Sequence, residues 1–163
     1  MIACMASAGR IGRLWIDAQE WGLGRIDRLA ARWRRGRAMA PHLATGLRGE
    51  RAALFELRRR GHIVVARRWT STKLRGDLDL ISWHGDRLCF IEVKTRTARD
   101  LIPAESAVDE DKREMLRRLA RVYLQAFPEK QRKTIPVRFD VVSVYLLAGA
   151  TEFDIFEGAF GRR

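Results

Sequence analysis

An α/β fold, with a mixed β-sheet covered by helices and a basic helical extension ahead of it, is what this sequence predicts. Three observations carry the expectation. Strand-length apolar runs alternate with stretches of helical periodicity. A Gly-Asp turn sits between two of the apolar runs. The first forty residues differ in character from the rest, with eight Arg and three acids (Asp17, Glu20, Asp27), a surplus of +5.

The extension, residues 1–44, carries Ile11, Leu14, Trp15, Ala18 and Trp21 at helical spacing, then Ile26, Leu29 and Trp33, with Gly22 and Gly24 between. It reads as two short basic amphipathic helices or a weakly ordered accessory region, suited to DNA or to a membrane face. Met39 offers an alternative start just before the compact part. The domain proper is expected over residues 45–163. Gly46 to Arg60 predicts a helix that Gly61 stops. His62 to Trp69 is a strand candidate and Ser71 to Arg75 a polar loop. Asp77 to Trp83 and Arg87 to Thr95 are two further strands. Asp109 can cap a helix running to about Phe127, with Met115, Leu116, Leu119, Val122, Tyr123 and Ala126 as its apolar stripe. Pro128 to Thr134 is expected as a charged loop, and Pro136 to Leu147 as the last strand.

The 163 residues are 47% hydrophobic, enough for a real core, and the net charge is +12. A surplus that large fits a polyanionic partner, either nucleic acid or an anionic membrane surface. Two scattered cysteines, Cys4 and Cys89, make neither a disulfide framework nor a zinc site, and a reducing cytoplasm suits them. Cys89 is expected in the core. The most apolar late stretch, Val141 to Ala150, is too short to span a bilayer, so no stable membrane insertion is expected. No signal peptide is expected either, because no long apolar run precedes a small-residue cleavage site.

The chemistry gathers around the hairpin. With Gly85 and Asp86 as the turn, His84 pairs with Arg87, Trp83 with Leu88, Ile81 with Phe90, Asp79 with Glu92 and Asp77 with Lys94. Two facing carboxylates would stand about 4.5–5.5 Å apart at Cβ, which is repulsive. A shared proton or a divalent cation would offset that repulsion, and magnesium is typically held by one or two carboxylates. Lys94 shares a face with Glu92, together with Leu88 and Phe90, while Cys89, Ile91 and Val93 point the other way. Phosphodiester cleavage needs a cation, acids to hold it and a positive group at the developing charge. Asp79 and Glu92 are the expected ligands and Lys94 the assistant. Glu50 falls on a helical stripe with Ala53, Leu54 and Leu57, where an unpaired charge is costly, so it too is expected at the cleft. The plainer account of Glu50 is an early-helix acid favoured by the dipole. For Glu92 and Lys94 it is a same-face ion pair.

The runs Gly49-Glu50-Arg51-Ala52-Ala53, Gly61-His62, Gly76-Asp77-Leu78-Asp79-Leu80-Ile81 and Phe90-Ile91-Glu92-Val93-Lys94-Thr95-Arg96 together resemble the YraN family of bacterial proteins. Lys112 and Arg138-Phe139-Asp140-Val141-Val142 add to the likeness, which covers about residues 46–147. The resemblance implies a restriction-endonuclease-like fold, similar to Holliday junction resolvases. It implies Asp79 as first acid, Glu92 and Lys94 as the Glu-x-Lys pair, and Glu50 as the helix acid. Asp77 stands where that family usually has Glu.

Arg67, Arg68, Lys73 and Arg75 precede the acids, and Arg96 and Arg99 follow Lys94, as candidate phosphate grips or a solvated surface. Lys112 sits near the start of its helix and is either a further grip or a surface lysine. Trp69 and Trp83 fit the core better than base stacking. His62 and His84 read as ordinary surface residues, without partners at ligand spacing. The expectation is therefore a cytoplasmic, Mg2+- or Mn2+-dependent endonuclease on DNA, with RNA left open. A dimer would suit paired cuts in a branched substrate. The rivals are a non-catalytic nucleic-acid-binding module of nuclease ancestry and a membrane-associated adaptor.

Overall fold

The computed structural model describes residues 40–99 and 108–161, together with Ile16 and Glu20. The expectations for the N-terminal amphipathic segment lie outside these, apart from those two residues.

Helix α1 (Pro41–Arg59) starts earlier than the sequence suggested. Pro41 occupies its first turn, where a missing N–H costs nothing and the fixed φ suits the helix. Gly61, at φ +91°, ends it as expected. The chain continues into β1 (Ile63–Thr70), β2 (Asp77–His84) and β3 (Arg87–Arg96). Helix α2 (Glu110–Leu124) follows, with the Asp109 carboxylate accepting the Lys112 N–H at 2.8 Å as its cap. It ends three residues short of Phe127. The expected loop at Pro128 to Thr134 contains a short helix, α3 (Glu129–Thr134), which opens after Pro128. Strand β4 (Val137–Leu147) is not the last: β5 (Ala150–Phe160) returns beside it. The two-residue turn Ala148-Gly149, with Gly149 at φ +86°, makes that hairpin.

The sheet order is β1-β2-β3-β4-β5. Among the described residues only β3 and β4 run parallel, so the chain must cross over between them, a connection that includes α2 and α3. This is the mixed, helix-flanked sheet of the restriction-endonuclease-like α/β class. No helix among the described residues is long and apolar enough to cross a membrane.

Each sheet face buries its own cluster. Leu88, Phe90, Phe139 and Val141 pack against Leu116, Leu119 and Leu124 of α2. Cys89, Ile91, Val93, Val142 and Val144 pack against Ala53, Leu54 and Leu57 of α1. The predicted division of β3 between its two faces is thus what forms, and both faces are covered, as a central strand requires. Cys89 is fully buried, and that burial pushes its thiol up to about 11. Trp69 meets Tyr123 edge-on at 5.3 Å and Trp83 meets Phe127 at 6.5 Å, so both tryptophans pack at the edge of the core.

Candidate active site

The hairpin register sets the site. His84 pairs with Arg87, Trp83 with Leu88 and Ile81 with Phe90, as the turn dictates. Pairing stops at Leu80 with Ile91, one residue short of the expected Asp79–Glu92 pair. Beyond it β2 stays on β1, with Asp77 opposite Thr70 rather than Lys94. β3 stays on β4, with Lys94 opposite Ser143. Asp79 lies at the point where the two ladders part. Its Oδ2 accepts the Val93 N–H at 2.7 Å, a group that the β2–β3 ladder no longer engages.

Glu92 is 4% exposed and lies between two ammonium groups. Lys94 Nζ is 3.0 Å from Oε1, and Lys112 Nζ, arriving from α2, is 3.1 Å from Oε2. The second approach is an ion pair angled away from hydrogen-bond geometry, which leaves Glu92 Oε2 buried without a hydrogen bond. Asp79 is pushed up to about 7 by burial first and the Glu92 charge second, against the Val93 N–H and Lys112.

Glu50 arrives from α1. The helix begins at Pro41, so Glu50 lies in its middle turns, beyond reach of the terminal dipole that would have explained it plainly. Its Oε2 is buried without a hydrogen bond, and Arg68 Nε lies 3.8 Å away. Burial raises its pKa, and Arg68 opposes the rise. Close packing brings the acid in. A Cβ on Gly49 would lie 1.8 Å from Thr95 Oγ1, so only glycine lets α1 approach β3 this closely.

Glu50, Asp79, Glu92 and Lys94 line one open cleft of about 600 Å³, with Arg96 on its wall and Thr45 and Gly46 of α1 above. Arg67 and Arg68 stand beside Glu50. The other basic candidates lie elsewhere. Lys73 and Arg75 border a depression against Met115 and Arg118 of α2. Arg99 bonds Glu152 at 2.9 Å and covers the Tyr145 ring. Asp77, expected opposite Lys94, instead contributes to the field that raises Glu50. The ion pair of Lys112 with Glu92 had no local signal, because it joins residues twenty apart across the sheet-to-helix connection.

The donors present fit a hard divalent cation. Among the described residues, Glu50 Oε2 and Glu92 Oε2 are buried without hydrogen bonds, and burial with the Glu92 charge holds the Asp79 carboxyl at about 7.

A restriction-endonuclease-like α/β sheet, with three acids and a lysine gathered where β2 and β3 part, defines the class of protein. The profile of the uncharacterised protein family UPF0102 matches residues 49–144, and the chain belongs to that family. A UPF0102 protein of Koribacter versatilis is 50% identical over 119 residues, 73% of this chain and 80% of the relative. One from Solibacter usitatus is 42% identical over 138 residues, 85% of this chain and 99% of the relative. One from Porphyromonas gingivalis is 39% identical over 110 residues, 68% of this chain and 77% of the relative.

Proposed function

We propose that the protein is a divalent-metal-dependent endonuclease that hydrolyses phosphodiester bonds in DNA, branched or damaged DNA being the favoured substrate, in the cytoplasm. The observation that carries this reading is the convergence of Glu50, Asp79 and Glu92 from three elements beside Lys94, with buried carboxylate oxygens that accept no hydrogen bond. Asp79 and Glu92 would hold the cation, Mg2+ or Mn2+, which neutralises phosphate charge and makes a nearby water more acidic. Lys94 places an ammonium where negative charge grows during cleavage. Glu50, whose pKa is raised by burial, can hold or pass a proton at the cleft. The Val93 N–H keeps the Asp79 carboxyl aimed inward. Arg67, Arg68, Arg96 and Lys112 near the acids, with Lys73 and Arg75 farther out, would contact flanking phosphates and give affinity without sequence choice, while Arg99 is taken up by Glu152. Paired cuts in a four-way substrate would call for two copies.

The test is cleavage of labelled linear, flapped and four-way DNA with manganese, comparing wild type with Lys94→Ala and Asp79→Ala. Both variants should fold and fail to cut. Undiminished cutting by either would defeat the reading.

One observation favours a second reading, a binding module of nuclease ancestry. Lys94 and Lys112 already neutralise Glu92 without a cation. Calorimetry showing no magnesium or manganese binding, even with DNA present, would select it.

A further inference from the structure

The opposite end of the sheet carries a second constellation. Gly61, in the left-handed region, turns the chain out of α1 and sets His62 under the sheet. His84 closes β2 at the hairpin. Glu157 comes from β5, where the ladder to β4 slips between Phe139 and Val141. The Asp140 carboxylate fills that slip by accepting the Gly158 N–H at 2.9 Å, with Gly158 at φ +64°. One donor atom each from His62, His84 and Glu157 lie within 4.8 Å of one another.

We propose that His62, His84 and Glu157 form a second metal site, for a borderline transition-metal ion of the Zn2+ class, separate from the acid cleft. Two imidazoles and a carboxylate are a zinc-type donor set, whereas Mg2+ prefers oxygen alone. His62 is 5% exposed, and its Nδ1 is hydrogen-bonded to Ser82 Oγ at 2.8 Å. In the tautomer whose Nδ1–H donates to that hydroxyl, the ring is fixed and Nε2 is left as the ligand atom, the usual division of labour at a metal-bound histidine.

A guanidinium now occupies the place an ion would take. Arg138 is the resident positive group: Nη1 is 2.6 Å from Glu157 and Nη2 is 3.3 Å from His84 Nδ1. Asp140 holds the same guanidinium through Nε and Nη2, at 3.1 and 3.0 Å. With neutral imidazoles, Asp140 and Glu157 stand against Arg138 and, farther out, Arg60, so an ion can enter only by displacing the Arg138 guanidinium from the donors. An arriving ion therefore replaces Arg138 at Glu157 and His84, and Asp140 keeps the arginine satisfied. Donors around tetrahedral zinc stand about 3.3–3.4 Å apart, so the three groups must draw in. The His62 and His84 rings, stacked at 4.2 Å and 18°, must also splay until their nitrogens converge. Glu157, with a side chain 52% exposed, admits the ion from solvent. Cys89 pairs with Arg138, and five residues at strand rise put Lys94 about 17 Å away, so the two centres are distinct. The ion would clamp the exit of α1, the end of β2 and the far strand β5 together.

The test is calorimetric titration of the full chain with zinc chloride, in excess magnesium, with cobalt absorption as a second readout. Wild type should bind one zinc, show the intense visible bands of tetrahedral cobalt and unfold at higher temperature when loaded. His84→Gln and Glu157→Gln, which spare the buried His62, should each weaken binding roughly tenfold or more. Asp79→Asn should leave it unchanged. Absence of zinc binding in wild type, or binding indifferent to both His84→Gln and Glu157→Gln, would overturn the proposal. Loss with Asp79→Asn alone would place the zinc in the acid cleft and overturn it equally, whatever the cleavage assays show.

Discussion

At Asp79, burial and the Glu92 charge hold the carboxyl at about 7, where an ordinary aspartate lies at 3.8. An acid whose pKa is raised on folding stabilises the fold while protonated. That contribution is full below about pH 4 and is lost as pH rises to about 7. His62 works in the opposite sense. Burial, with neighbouring His84 and Arg138 adding to it, lowers it from 6.5 to about 4. Its contribution is present above pH 6.5 and lost as pH falls towards 4. The two oppose each other between those limits. In Asp79→Asn the aspartate effect is gone while those of His62 and the raised Glu50 remain, so the urea midpoint should rise with pH across that window more steeply than in wild type. Equal slopes would show that the Asp79 pKa is ordinary. Arg68 gives a second prediction at this scale. It sits at φ 45°, a left-handed conformation that asparagine tolerates far better than arginine. Arg68→Asn should therefore raise stability by about 1 kcal/mol in urea denaturation. The same change removes the cation beside Glu50, so the salt slope of DNA binding should fall by about one.

Among the elements, α1 brings Glu50 and α2 brings Lys112 to the acid cluster, and each depends on a local device. The Asp109 cap anchors the first turn of α2, where Lys112 sits. Asp109→Ala should cost about 1 kcal/mol of stability by chemical denaturation. Helix α1 depends on Gly49 packing against Thr95. Gly49→Ala forces helix and strand apart, an overpacking cost of roughly 1–3 kcal/mol. Because Glu50 is the next residue, DNA cleavage should fall by more than the loss of folded protein explains. A variant that cuts normally per folded molecule would separate Glu50 from the chemistry.

Over the whole molecule, the +12 charge is unevenly available. Arg99 is already paired with Glu152 and approaches Asp154 at 3.9 Å. Arg67 lies on the same edge strand as Arg68, beside the cleft. Removing a phosphate-binding cation lowers the slope of log affinity against log salt by about one. Arg67→Ala should do so, whereas Arg99→Ala should leave the slope nearly unchanged. Equal effects would mean that the Glu152 pair opens when DNA binds.

By itself the sequence determined what short-range chemistry controls. The Gly85 turn set the hairpin register from His84–Arg87 to Ile81–Phe90, and the period of two divided β3 between its two faces. Helical spacing put Glu50 on the buried side of α1, and the acid at 109 marked the start of α2. The strand β5 was missed, because its signal, the Ala148-Gly149 turn with Phe153 and Ile155 two apart, is spread over an edge strand and is weak. Only the tertiary structure decided where the β2–β3 ladder stops, because that depends on competing pairing with β1 and β4. It alone joined Lys112 to Glu92, and turned His62 from an apparent surface residue into a buried partner of Ser82 and His84. Those contacts join segments distant in the chain. Periodicity and turn chemistry place a side chain on a face, and the packing of remote elements then determines what it meets there.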